Sequence, residues 1–437
     1  MDNAIIEAAN SLFRISETQR TERMRKAWMA YYGQSAKPLK VIRGQADDNL
    51  RENFARIIVD KSVSFLFGKE IGFELDETGE TEAEKWLKEV WARNKKMTLM
   101  HYLALNGAVC GQAFLKIHYP PGAEYPRLIV LDPETVTVSL ASDDIENVLK
   151  FEIAYTSYNP IENKIVGIHQ TIQRDGATWI ITDEIGDENY DHWSVVEEQI
   201  WPYNFPPIVY CQNLPSPNEF WGTSDIEDDL LEANDKLNFT MSNMLKIIRY
   251  HGHPKTWGTG FDARQLKIAV DETLVLPQGA TLQNLEMQSD LGNSIEVYKR
   301  IKEFLHELSR TPEIATGKLD NVGSLSGLAL QILYQPIIEK TNTKRLLYGD
   351  MLIELNRRLL AIGGYGEDNY TKIIWPDILP ADTTQQINEM RFDKEIGASD
   401  YTLLSKRGYD PELEADRRKM DTQSAGEALL AAFNEGL

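Results

Sequence analysis

Paired carboxylates and closely spaced histidines are the first places to look for chemistry in this chain of 437 residues. Asp143-Asp144 and Asp228-Asp229 could each offer oxygen ligands to a divalent cation, and His251 and His253 could hold a transition metal. Neither set is completed. The histidines stand two residues apart, with no cysteine near them and no second pair elsewhere to finish a tetrahedron. The aspartate pairs fall where a turn and the start of a helix are expected, and solvated carboxylates suit both places. Gly317-Lys318 resembles the end of a phosphate-binding loop, but Leu319 stands where Ser or Thr is needed and the upstream glycine is missing. No Gly-x-Ser-x-Gly element occurs. Cys110 and Cys211 lie in apolar surroundings and read as two buried thiols. Trp193 and Trp201 could stack on bases or sugars; at strand spacing they read as core. No nucleophile, base and orienting group can be assembled, so no enzyme, metal site or cofactor is expected.

The elements that would position such residues are therefore read for architecture. With 42% hydrophobic residues the chain can bury a large core over more than one domain. A net charge of −21 argues against a surface that holds nucleic acid tightly, because phosphates must be neutralised by Lys and Arg. The first residues, Met1 to Phe13, show no signal peptide, and no apolar run approaches the ~20 residues of a membrane span. A soluble protein made in the cytoplasm is expected, with a mobile N-terminus over 1–20.

Helices are predicted over Thr21–Tyr32, Asn49–Phe67, Thr81–Asn94 and Met97–Val109, with Gln34–Asp48 a loop and Ile71–Leu75 extended. The period then changes. Gln112–Tyr119, Arg127–Leu131, Thr135–Leu140, Val148–Ser157, Ile165–Gln173 and Thr178–Thr182 are rich in β-branched and aromatic residues, with a hairpin turn at Asp175-Gly176. A mostly antiparallel β region thus covers 112–210, and Pro202, Pro206, Pro207, Pro215 and Pro217 mark an extended exit. Ser224 opens a long helix with capping-box spacing to Glu227. Its acids Asp225, Glu227, Asp228, Asp229 and Glu232 complement the helix dipole, and Gly252 and Pro254 stop it. His253–Gln288 is a compact insert, with Pro254–Trp257 extended, Asp262–Val270 helical, Thr273–Leu276 extended and a turn at Pro277-Gln278-Gly279. A return helix capped at Asn293 or Ser294 ends before Pro312, making an antiparallel pair with the insert at its tip.

The chain is organised around Thr311–Gly364. A loop, Thr311–Gly323, carries Gly317 and Gly323. From about Ser324 a helix follows whose stripe is Leu328, Ile332, Leu333, Ile338, Leu346, Leu347, Met351, Leu352, Leu355 and Leu359. To Ile362 it would span on the order of 55 Å. Pro336 removes a donor and crowds the preceding turn, so a kink is predicted near Gln331–Pro336. Beyond it come a strand at Thr371–Trp375, a helix from Asp382 to Ile396, and short helices at Asp400–Arg407 and Pro411–Met420.

Several segments, in order, resemble the portal proteins of tailed double-stranded DNA bacteriophages, the siphovirus type. They are Ala30-Tyr-Tyr-Gly33, Asn53-Phe-Ala-Arg-Ile-Ile-Val-Asp60, Val63-Ser-Phe-Leu-Phe-Gly68, Phe220-Trp-Gly-Thr-Ser224 with Leu237-Asn238, Ser324-Leu-Ser-Gly-Leu-Ala-Leu330, and Gly397-Ala-Ser-Asp-Tyr-Thr-Leu-Leu404 with Glu412 and Glu414. The resemblance covers about Thr21 to Met420. It implies an α+β, helix-rich portal fold: a β-containing wing (21–223 and 324–376), a two-helix stem (224–252 and 289–310), a small α/β clip (253–288), a tunnel loop (311–323), the long kinked helix, and a helical crown (377–437).

The same resemblance implies a homododecameric ring at one capsid vertex of the virion, with double-stranded DNA passing non-specifically through it. Implied partners are the terminase large subunit, the major capsid and scaffolding proteins, and a head–tail connector protein. The tunnel loop would face DNA with Gly317, Lys318, Leu319, Asn321, Val322, Gly323 and Leu325. Lys318 would touch phosphate, and Leu319, Val322 and Leu325 would form a constriction or pack on the neighbouring subunit. The clip would dock terminase or connector through Trp257, Asp262, Arg264, Lys267, Asp271 and Glu272. Two rival readings stand beside it: a head–tail adaptor or scaffold-like protein with a helical hairpin, and a metal-dependent nucleic-acid enzyme using the acidic doublets.

Overall fold

The computed structural model describes residues 17–44, 46–75, 81–160, 163–186, 193–252, 256–262, 276–284, 291–316, 327–379, 390–406, and 414, 415, 417 and 418. Helix α1 (Glu17–Tyr31) starts earlier than its apolar spacing suggests, and helix α2 (Phe54–Phe67) starts later. Asn53 caps α2, its side-chain oxygen accepting from the Arg56 amide at 2.9 Å. Residues 49–52, expected as the first turn of this helix, are instead non-helical because their amides have other partners, described below. Strand β1 (Gly72–Glu74) leads to α3 (Glu82–Arg93), capped by Thr81, and to α4 (Lys96–Cys110), which Gly111 ends in the left-handed region.

The expected β region follows as β2 (Gln112–His118), β3 (Arg127–Leu131), β4 (Val136–Leu140), β5 (Val148–Asn159), β6 (Lys164–Asp175), β7 (Thr178–Gly186), β8 (Trp193–Trp201) and β9 (Ile208–Gln212). Strands β4 to β8 make a five-stranded antiparallel meander in chain order, and β3-β2-β9 make a smaller antiparallel sheet. Asp175 pairs with Thr178, so the two-residue turn is Gly176-Ala177, one residue beyond the expected dipeptide. The proline-rich exit is not linker throughout. Its prolines flank Ile208–Gln212 and leave that stretch free to pair with β2.

Helix α5 (Asp228–Gly252) precedes β10 (Thr256–Thr259) and β11 (Thr281–Asn284), which pair antiparallel. The turn before β11 closes with the Ala280 amide on Pro277 O at 3.0 Å. Helix α6 (Leu291–Ser309) begins two residues before its expected caps, and α7 (Gly327–Ile362) runs unbroken through Pro336, roughly 54 Å long at 1.5 Å per residue. Strand β12 (Lys372–Ile374) pairs with β1. Residues 377–437, with 326–328, form a separate unit. There, 390–395 are helical and α8 (Asp400–Lys406) follows, with Ser399 Oγ accepting from the Thr402 amide at 3.2 Å.

The core of the larger unit gathers α2, α4, the first turns of α5 and the C-terminal half of α7 on the small sheet. Ile58, Val63, Leu103, Ala108, Phe114, Leu115, Leu237, Leu352, Leu355 and Leu359 are all buried there. The expected stripe of α7 holds only in that half. Ile332, Leu333 and Leu346 are exposed, and the covered face of the middle of the helix runs instead through Ile337, Lys340, Thr341, Lys344 and Tyr348. Among the described residues no helix is long and apolar enough to cross a membrane.

Candidate functional site

The segments singled out in the sequence interlock. The Tyr31 hydroxyl donates to Asp60 at 2.9 Å, and Asn53, besides capping α2, donates to Tyr31 O at 2.9 Å. Partial burial, then the Asp60 hydrogen bond, push the Tyr31 hydroxyl up to about 12, so it stays protonated and donating. Phe67, from the next segment, stacks on Trp375 and meets Tyr348 edge-on. The 220–224 segment is a buckle. A Cβ on Gly222 would lie 2.6 Å from Gly111 O, so two glycines allow two backbones to touch. Ser224 Oγ then donates to the ends of α4, at 2.9 Å to Ala108 O and 2.8 Å to Val109 O, and accepts from the Ile226 amide at 3.0 Å. The Glu227 half of the capping box is present, accepting from the Ser224 amide at 3.3 Å.

Asp225 is the residue that sequence reasoning misplaced. It does not decorate a helix start. Its carboxylate is fully buried between two lysines of α7, 3.1 Å from Lys340 Nζ and 2.6 Å from Lys344 Nζ, while its amide donates to Ala108 O at 2.8 Å. That capture delays α5 to Asp228. Lys344 also donates to Ser62 Oγ of α2 at 2.8 Å, Lys340 to Ser309 O at the end of α6 at 3.0 Å, and Asn213 to Asp225 at 3.3 Å. Burial alone would raise the Asp225 pKa, but the two ammonium groups outweigh it and hold the carboxyl well below its ordinary value. Burial lowers Lys344 to about 8, the single carboxylate being shared with Lys340. Five parts of the chain meet at this cluster: α2, the segment after β9, the 225 turn, α6 and α7.

A second device fastens the paired helices. Asn234, Asn238 and Ser242 stand four residues apart on α5, and each accepts from an alternate amide of the strap before α2: Phe54 at 3.2 Å, Glu52 at 2.7 Å and Leu50 at 2.9 Å. Four residues of helix rise about 6.0 Å and two of extended chain about 6.6 Å, so the two repeats nearly coincide. Ser242 Oγ also donates back to Leu50 O at 3.1 Å, and Arg249 continues the row with two bonds to Asp48, at 2.8 and 2.6 Å. From α6, the Tyr298 hydroxyl donates to Glu52 at 2.7 Å, and His306 meets Phe54 edge-on. Tyr298 is thus level with Asn238 and His306 with Asn234, so α6 runs antiparallel to α5 as expected.

A family model described as "Phage portal protein, SPP1 Gp6-like" matches residues 15–427. The chain belongs to that family. Among solved structures, the portal chain is similar to one in "Neck of empty GTA particle computed with C6 symmetry", at 12% identity over 85% of this chain and 95% of that one, with a TM-score of 0.53. It is also similar to a chain in "Virion of native gene transfer agent (GTA) particle", at 12% identity over 88% and 99%, with a TM-score of 0.46. No curated protein sequence matches. The α+β, helix-rich portal fold expected from the sequence is the fold observed.

Of the expected site residues, the structure of this portal chain describes Trp257, Asp262 and Pro336. Trp257 lies on β10 with its side chain half exposed, and Asp262 follows the bend at Gly260-Phe261. Arg264, Lys267, Asp271 and Glu272 fall outside the described residues, as do Gly317, Lys318, Leu319, Asn321, Val322, Gly323 and Leu325. Pro336 sits within α7. Cys110 and Cys211 are buried free thiols, and Trp201 is core. Asp228 pairs with Lys26 at 2.6 Å, and among the described residues no cluster of His, Cys, Asp or Glu could hold a metal ion. Two signals could have revealed the joints: the Lys-x-x-x-Lys spacing on a helix face otherwise apolar, and the four-residue spacing of Asn234, Asn238 and Ser242.

Proposed function

We propose that copies of this chain form a dodecameric ring at one capsid vertex. Double-stranded DNA passes through the ring during packaging by a terminase motor and during ejection. The carrying observation, beside family membership, is apolar surface that one copy leaves wet. Phe239 and Ile248 on α5, and Ile295, Val297 and Phe304 on α6, are about half exposed, and Leu346 on α7 is 70% exposed. A lone soluble subunit rarely carries so many large apolar side chains on paired helices, and neighbouring copies would cover them.

In this reading 21–223 and 324–376 are the wing, 224–252 and 289–310 the stem, 253–288 the clip, 311–323 the tunnel loop, and 377–437 the crown. The subunit's charge of −21 keeps the duplex centred without gripping it. Lys318 makes transient phosphate contacts, and Leu319, Val322 and Leu325 narrow the channel or pack between copies. Pro336 bends α7, since its missing amide leaves the Ile332 carbonyl without a helical donor. The clip, with Trp257 and Asp262 on it, docks terminase and then a connector protein, while scaffolding and major capsid proteins meet the ring elsewhere.

Negative-stain electron microscopy of the purified protein tests this. Rings with a central hole and about twelve-fold outline are expected; closed compact particles without a hole would overturn it. Gly317→Pro and Lys318→Glu are expected to assemble into rings yet package little DNA in an in vitro packaging assay. Failure of both to assemble would make the loop a structural element instead.

A further inference from the structure

The five-stranded meander has two edges, and they are finished differently. At β4 the start of the edge is covered by α1. The Arg20 guanidinium donates to Pro133 O at 3.1 Å and to Val136 O at 3.0 Å, and Thr137 Oγ1 donates to Glu17 at 3.3 Å. At β8 the outer edge pairs with no strand among the described residues. It is nine residues long, about 30 Å at 3.3 Å per residue. Val195, Val196 and Ile200 are more than half exposed, and Glu197 and Glu198 form no ion pair among the described residues. Long edges with apolar side chains on both faces invite another strand.

A matching segment lies elsewhere on the same chain. Lys40-Val41-Ile42-Arg43 is exposed throughout and carries no regular structure. Its start is held firmly: the Asn49 side chain accepts from the Leu39 amide at 2.6 Å and donates to Leu39 O at 3.1 Å, and Lys37 pairs with Asp47 at 2.5 Å. Beyond these anchors Lys40 and Arg43 make no ion pair among the described residues. Strand β8 bulges at Val196, because Glu197 faces Asp183 and Val195 faces Glu184 on β7; laid antiparallel on it with Lys40 opposite Glu197, the segment sets Val41 against the bulged Val195-Val196 pair. Apolar meets apolar and cation meets carboxylate, the pairings that stabilise neighbouring strands.

We propose that β8 of one copy takes the Lys40–Arg43 segment of the next copy as a sixth strand. The two patches differ, so the contact is head-to-tail, and its repetition closes a ring. The inference rests on the ring reading above and names one of its seams.

Both native cysteines are buried, so introduced ones report cleanly. Val41→Cys with Val196→Cys places two thiols at cross-strand distance, within disulfide reach. Oxidised assemblies of the double variant are expected to run as a ladder of covalent multimers in a non-reducing denaturing gel, and each single variant as monomer. Lys40→Glu is expected to lower the ring fraction in sedimentation velocity about tenfold, as is Glu197→Lys, and combining the two is expected to restore it. Wild-type rings with no covalent ladder, and charge reversals without effect, would overturn this seam while leaving the ring reading intact. A wild type that stays monomeric would overturn both.

Discussion

A carboxylate shared by two ammonium groups leaves one positive charge in excess, and at Asp225 that excess is shut away from water. Removing the carboxylate and removing one ammonium are therefore unequal acts. Asp225→Asn leaves two buried cations facing each other and is expected to cost about 3–5 kcal/mol in urea unfolding. Lys344→Met keeps the shape of the side chain and one matched pair, and is expected to cost less than about 1.5 kcal/mol. The pH dependence follows from the lowered Asp225 pKa. The folded state binds the proton less readily than the unfolded chain, so the carboxylate's contribution is fully present above its ordinary value near ~3.9 and is lost as pH falls below it. The gap between wild type and Asp225→Asn should be flat between about pH 5 and 7 and shrink in acid. In the sequence only the Lys340-x-x-x-Lys344 spacing hinted at this. An acid in a run of acids ahead of a helix reads as a dipole partner, and lysines on a helix read as solvent-facing. Burial of a polar residue depends on what arrives from elsewhere, here from more than a hundred residues away.

Elements were more legible than their joints. The change from helical to alternating period after Gly111 marked the β region, and capping residues such as Thr81 and Asn53 marked where helices begin. The misreadings have a common cause: a tertiary partner competed with local pattern. Residues 49–52 have helical spacing, but Asn238 and Ser242 claim their amides. Asn238→Ala leaves the Glu52 amide without its acceptor, a loss of about 1–3 kcal/mol if the group stays buried. Hydrogen exchange is expected to quicken at Glu52 by tenfold or more, with little change in the β meander. Equal exchange in both proteins would mean that the strap is held by its flanking contacts alone. The stripe of α7 misled differently. Its exposed members, Ile332, Leu333 and Leu346, have the spacing of a core face, and another copy is their proposed cover.

For the whole molecule, charge and fold constrain handling of DNA more than any single residue does. A subunit of net charge −21 argues against tight binding of duplex, because phosphates must be neutralised by Lys and Arg. Purified protein at micromolar concentration is expected not to retard linear duplex DNA in a native gel at about 50 mM salt, where electrostatic attraction would be strongest. Retardation there would mean a cationic surface that overall composition hides. The segments that carried the family resemblance sit at joints of the fold: Gly222 against the Gly111 backbone, and the Tyr31 hydroxyl and carbonyl against Asp60 and Asn53. The residues expected to face DNA or to dock partners were assigned through resemblance alone.

The strap beside α5 behaves as a vernier. Its graduations differ from those of the helix by about 0.6 Å per rung, so coincidence holds for Phe54, Glu52 and Leu50 and then fails. The next mark would be Lys246; the bonds to Asp48 come instead from Arg249, whose long side chain reaches back along the strap. Only alternate amides face the helix, which gives the strap a parity. Lengthening it by one residue would turn every second amide away from α5, whereas lengthening it by two would slide the scale one mark and restore the reading. Length in this stretch is free to change only in even steps.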